Sequence, residues 1–143
     1  MDRGGVYYAK ADGSFIKEVV HPMVTPNGIG LSPDGTVLYV AETETARLWA
    51  FDLEGPGEFR RQPFPSPHGG RIVAGIGGYN RFDSLAVDGD GNVCVATLVN
   101  GGITVIEPDT RDWRHIPVPG ERWVTNIAFG GPELRTAYIT LSS

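Results

Sequence analysis

Residues 81–98 read RFDSLAVDGDGNVCVATL. Leu85 and Val87 alternate with Ala86 and Asp88, the two-residue period of a strand with one buried face. Gly89, Asp90 and Gly91 follow, and a hairpin turn needs residues of this kind, which accept positive φ. Val93, Val95 and Thr97 then alternate with Cys94 and Ala96 as a second strand. The stretch is a hairpin, and a carboxylate, Asp83, stands at the mouth of its first strand.

The pattern recurs on either side. Residues 26–43, PNGIGLSPDGTVLYVAET, place Ile29 and Leu31 on Leu85 and Val87, Asn27 on Asp83, and the turn SPDG on DGDG. Residues 124–141, VTNIAFGGPELRTAYITL, form a weaker copy, with Ile127 and Phe129 in the apolar places and Thr125 on Asn27 and Asp83. The three marked positions are 56 and 42 residues apart. Repeats of this length, each made of short strands, predict a β-propeller.

Between the copies the chain reads as further strands. Gly5–Ala9 and Phe15–Val20 flank the turn at Ala11–Ser14 and form the outer hairpin of a blade (1–23). A second blade (24–80) takes Arg47–Asp52 as its third strand and Arg71–Ala74 as a closing strand, with a Gly- and Pro-rich connector at Leu53–Gly70. A third blade (81–120) adds Ile103–Glu107 and Trp113–Val118, and the inner strands of a further blade (121–143) follow. The expected fold is all-β, a partial six-bladed propeller of about three blade-equivalents of four-stranded antiparallel sheet. Three blades cannot close a ring, since propellers close with roughly four to eight. Unpaired edges would remain, so the chain is expected to be a piece of a longer propeller or a half-ring that pairs with another copy.

Composition narrows the function classes. The chain has 143 residues, 41% of them hydrophobic, and a net charge of −5, with no basic stripe to neutralise phosphates, so nucleic acid is not an expected partner. No apolar run approaches the length of a membrane span, and a cytoplasmic chain is the expectation. The one cysteine, Cys94, sits in a strand run and reads as a small buried side chain. Ser142 and Ser143 lack a GxSxG elbow, and no Gly-rich loop opens a helix to hold phosphate.

In a propeller the residues just before each inner strand converge at one mouth of the central channel. Asn27, Asp83 and Thr125 hold that place. An amide oxygen and a carboxylate aimed at one point are hard donors suited to Ca²⁺, Mg²⁺ or Mn²⁺, or to Zn²⁺ in a carboxylate-rich site. The plainer reading is that Asn and Asp before strands cap turns. Trp123 lies beside the channel-mouth position and could floor a substrate pocket, with Thr125 next to it. Trp49 and Trp113 are expected to pack between blades. His21 and His115 are expected at the surface, and His68 as a solvated histidine of the connector.

The ordered set PNG (Pro26–Gly28), the Asp before LAVD (Asp83) and AFGG (Ala128–Gly131) resembles the gluconolactonase, regucalcin and luciferin-regenerating-enzyme family, colinearly over nearly the whole chain. The resemblance implies a six-bladed propeller with one divalent metal ion, and a lactonase that opens sugar lactones with metal-activated water. It makes Asn27 and Asp83 metal ligands and Asp83 the catalytic carboxylate. It implies no match here for the family's remaining ligand, a Glu of its first blade. Glu54 imitates that motif's letters but follows a third strand. The chain is thus similar to the family's C-terminal half, and activity of this piece alone is in doubt. The alternative is a non-catalytic propeller module for binding or interaction. A metal-free strictosidine-synthase-like propeller is a third possibility.

Overall fold

A computed structural model describes residues 3–142 as thirteen strands in four separate antiparallel sheets, with one short 3₁₀ turn at Pro132–Leu134. The first sheet pairs β1 (Arg3–Ala9) with β2 (Ile16–Val24). The second runs β3 (Pro26–Leu31), β4 (Val37–Glu42) and β5 (Arg47–Gly55), and two strands share the outer edge of β5: β6 (Glu58–Phe59) and β7 (Arg71–Gly75). The third has the order β8 (Asn80–Val87), β9 (Val93–Val99), β10 (Gly102–Ile106), β11 (Trp113–Pro117). The fourth pairs β12 (Val124–Gly130) with β13 (Thr136–Leu141).

The cores lie between sheets. Val6, Val20 and Met23 of the first sheet pack on Val40, Trp49 and Phe51 of the second. Tyr39, Leu48, Ala50 and Val73 of the second meet Phe82, Leu85, Val93, Val95 and Ile106 of the third. Cys94, Ala96, Ile103 and Val105 of the third meet Val124 and Ile127 of the fourth. Side chains alternate across a strand, so neighbours on one strand serve different cores. Leu48 faces the third sheet and Trp49 the first; Val93 faces the second and Cys94 the fourth. A strand buried on both faces has no polar face, and Val93–Thr97 are all buried. Burial also pushes the Cys94 thiol up to about 11, which keeps it protonated and inert.

Three expectations need correction. Ile29 and Leu31 were expected to lie on a buried face like Leu85, but they are 51% and 50% exposed. They face the first sheet, whose two strands cover only the outer part of the second, where Val40, Trp49 and Phe51 lie. Trp113 is exposed because β11 is the outer edge strand of its sheet, whereas Trp49 packs between sheets. His68 is buried, not solvated: the connector folds back so that its ring meets Trp49 edge-on at 4.5 Å and lies 5.6 Å from Phe51. A Cβ at Gly70 would come within 2.7 Å of the Phe51 ring, and its absence lets the connector approach.

Candidate metal centre at the inner-strand bulges

β3, β8 and β12 are the inner strands of their sheets, and each is irregular at the same place. Pro26 and Ile29 lie opposite Glu42 and Val40, so Asn27 and Gly28 together face one residue of β4. Phe82 and Leu85 lie opposite Thr97 and Val95, so Asp83 and Ser84 face one residue of β9. Val124 and Asn126 lie opposite Leu141 and Thr140, so Thr125 is the extra residue of β12. Each is a β-bulge, which re-aims a side chain away from the pleat. The repeat position found in the sequence is therefore a bulge in all three copies. The signal was a slip in apolar spacing: Phe82 and Leu85, like Val124 and Ile127, serve one core yet stand three residues apart, not two.

The surroundings bring the bulges of β3 and β8 together. At Gly28 a Cβ would sit 2.6 Å from the Asp83 carbonyl oxygen and 2.8 Å from the Leu85 nitrogen, so only glycine allows this approach. The entry to β3 is clamped by the β4–β5 turn. The buried Glu42 carboxylate accepts the Val24 N–H at 2.7 Å and the Thr45 hydroxyl at 2.7 Å. Thr25, at φ 46°, gives its carbonyl to Thr43 N–H and its hydroxyl oxygen to Glu44 N–H. Arg81, two residues before Asp83, ion-pairs with Glu44 and ties the two sheets at this end, a contact that local motifs do not reveal.

Asp83 is half-buried, and burial raises its carboxyl above the ordinary carboxylate range, while the nearby Asn27 side chain pulls it partly back. The two predicted ligands thus face each other from adjacent sheets. Turn-capping aspartates behave otherwise. Asp12 holds the Ser14 N–H, Asp34 holds that of Thr36, and Asp88 holds those of Asp90 and Asn92. Thr125 occupies the third bulge, but its hydroxyl bonds within its own hairpin, to Thr140 Oγ1 at 2.9 Å and the Thr140 carbonyl at 3.2 Å. Trp123 is 49% exposed beside it, bridged to Leu98, and accepts the Ser142 N–H on its carbonyl. Glu54 pairs with Arg60 at the surface, away from the bulges. Asn27 and Asp83 suit a hard cation in kind, but two donors fall short of the six or more oxygens such ions take. Among the described residues no three His, Cys, Asp or Glu side chains cluster to hold a metal.

Comparison with known proteins agrees with the fold. Residues 1–143 match the SMP-30/gluconolactonase/LRE-like region. The chain is 32% identical over 142 residues to a 6-deoxy-6-sulfogluconolactonase of Pseudomonas putida, covering 99% of this chain and 46% of that protein. It is 32% identical over 118 residues to the lactonase drp35 of Staphylococcus haemolyticus, covering 82% and 35%. Among solved structures, a gluconolactonase of Xanthomonas campestris superposes with a TM-score of 0.75 at 26% identity, over 99% of this chain and 42% of that one. A calcium-binding regucalcin of Agrobacterium tumefaciens superposes with a TM-score of 0.75 at 25% identity, over 95% and 43%. The chain spans less than half the length of each of these relatives. From its match along the whole sequence and its partial propeller fold, the chain belongs to the SMP-30/gluconolactonase/LRE-like family.

Proposed function

We propose that the bulges of β3 and β8 carry part of the centre of a metal-dependent lactonase that opens sugar lactones. One observation carries this reading: Asp83, unlike the turn aspartates, leaves its carboxylate to face Asn27 across two inner strands. Asn27 and Asp83 would hold the ion, one of Ca²⁺, Zn²⁺, Mg²⁺ or Mn²⁺, which when bound supplies a positive centre that polarises a carbonyl. Asp83 then serves as the base. It takes a proton from a water whose oxygen adds to the lactone carbonyl carbon, and returns the proton to the ring oxygen as the ring C–O bond breaks. The product is the open hydroxy acid. Trp123 offers an exposed ring as a floor for the sugar, with Thr125 beside it.

The test is sugar-lactone hydrolysis by the 143-residue chain with each of the four ions, followed as acid release. Against the wild-type rate, Asp83→Asn is expected to lose about a hundredfold or more in turnover, the usual scale of a lost general base. Equal rates would overturn the assignment of Asp83. A non-catalytic binding module is the second reading. It is favoured by the short donor set and gains if wild-type chain binds an ion yet opens no lactone.

A further inference from the structure

The chain carries 17 acidic residues against 12 basic ones, yet one cleft is lined by two arginines and no acid. It encloses about 530 Å³, a size typical of small-molecule sites, at the outer edge of the second sheet. Its walls come from β5, β7 and the connector between them, all within residues 47–72, and neither terminal sheet lines it. The lining is largely apolar. Trp49 and Ile72 stand opposite each other on β5 and β7, and Pro63, Phe64, Pro65 and Pro67 of the connector complete it. Phe64 is 94% exposed at the rim. The connector is pinned in place: Ser66 Oγ donates to the Gly70 carbonyl at 2.7 Å and accepts the Gly69 N–H at 2.9 Å, and the Gln62 N–H donates to the Gly69 carbonyl at 2.9 Å. A pre-formed cleft keeps the ordering cost of binding low.

The polar groups at this edge are donors in want of an acceptor. Asp52 holds the Arg71 guanidinium at 3.5 Å, but Arg47 is exposed and has no ion pair among the described residues. Arg47 and Trp49 share one face of β5, and Gln62 adds a side-chain amide to the lining. Trp49 is buried, and its Nε1–H has no acceptor among the described residues. His68 packs on Trp49, and its Nδ1 accepts the Gly70 N–H at 3.3 Å. In the neutral ring Nε2 then carries the proton, and it too lacks an acceptor. Buried donors without acceptors are rare, and two in contact call for an oxygen nearby. We propose that this cleft binds a small organic acid, one carboxylate on an aromatic body. The carboxylate lies against Arg47 and Gln62 at the Trp49 end, and the ring lies on Phe64, Pro65 and Ile72. A bare inorganic anion would leave the apolar walls unused, and a neutral aromatic would leave Arg47 unpaired. Neither Asn27 nor Asp83 lines the cleft, so the proposal does not rest on the lactonase reading.

The experiment is a titration of phenylacetate into the ¹⁵N-labelled 143-residue chain at neutral pH in chelator, followed on the indole N–H signals of its three tryptophans. Trp113 and Trp123 are 52% and 49% exposed, so Trp113→Phe and Trp123→Phe identify their own signals and leave that of Trp49. Phenylacetate is expected to move the Trp49 signal saturably. Arg47→Gln, a change at an exposed side chain, should weaken binding about tenfold or more, the scale of one lost charge-assisted contact. Acetate, which has the acid without the ring, and 2-phenylethanol, which has the ring without the acid, should each bind about tenfold or more weakly than phenylacetate. An unmoved Trp49 signal overturns the proposal, as does a shift confined to Trp113 and Trp123. Equal affinity of Arg47→Gln, or of 2-phenylethanol, overturns it as well. The wild-type titration decides the question even if a variant fails to fold. No readout uses metal or turnover, so a failure here leaves the lactonase reading standing, and a failure of that reading leaves this one.

Discussion

Asp83 and Asn27 are ordinary polar residues made unusual by where the backbone puts them. Burial lifts the Asp83 carboxyl, so the folded chain holds that proton more tightly than the unfolded chain does. By linkage, the stability from this group is full at acid pH and is lost as pH rises through the folded value. In metal-free chain, Asp83→Asn is therefore expected to melt above wild type at neutral pH, with the difference vanishing at acid pH. Thermal melts in chelator check this, and a wild type that melts higher at neutral pH would contradict it. Glu42 is a buried carboxylate with both oxygens bonded. Glu42→Ala leaves the Val24 N–H without that partner and is expected to cost about 1–3 kcal/mol by urea denaturation. A change near zero would mean that Glu42 does not hold the entry to β3.

At the scale of elements, the bulge is the device that separates a site residue from a strand residue. The alternation of Leu85 and Val87 was legible, as were the Gly and Asp turns that close the hairpins. The bulges were not, because a period-two template absorbs Asp83 as a strand-end residue, and only the three-residue gap from Phe82 to Leu85 betrays the extra one. Gly28 carries a second hidden demand, since its role comes from the backbone of a sheet 55 residues further on. Gly28→Ala forces β3 and β8 apart and is expected to destabilise the chain by about 1–3 kcal/mol, the usual cost of overpacking. Unchanged unfolding in denaturant would show that the strands can part freely. The connector was misread for a related reason: its Pro and Gly suggested solvent, but His68 anchors it on Trp49 and Phe51. Burial lowers the His68 ring below its ordinary value, with the Glu42 charge opposing in part. A depressed value means stability present above the unfolded value of 6.5 and lost as pH falls toward the folded one. Wild type should thus lose more stability than His68→Phe between neutral and mildly acid pH, and parallel losses would contradict a buried neutral ring.

Over the whole molecule, the main strands could be read from hydrophobic runs because cores that lie between sheets bury both faces of β4, β5 and β9, but the two-residue β6 inside the connector, which makes the second sheet five-stranded rather than four-stranded, could not. Which strands stay uncovered could not be read. Ile29 and Leu31 have the same local pattern as Leu85 and Val87, and only the neighbouring sheet decides their exposure. The same long-range arrangement sets the inner strands side by side and brings Asn27, from one repeat, to Asp83, from the next. On the proposed function, these two bulged residues form one ion-binding centre. Calorimetric titration of Ca²⁺ and Zn²⁺ into wild type, Asn27→Ala and Asp83→Ala tests it most directly. Saturable binding by wild type is expected, abolished by both substitutions while the fold, followed by circular dichroism, is kept. Binding of equal strength in all three proteins would contradict it.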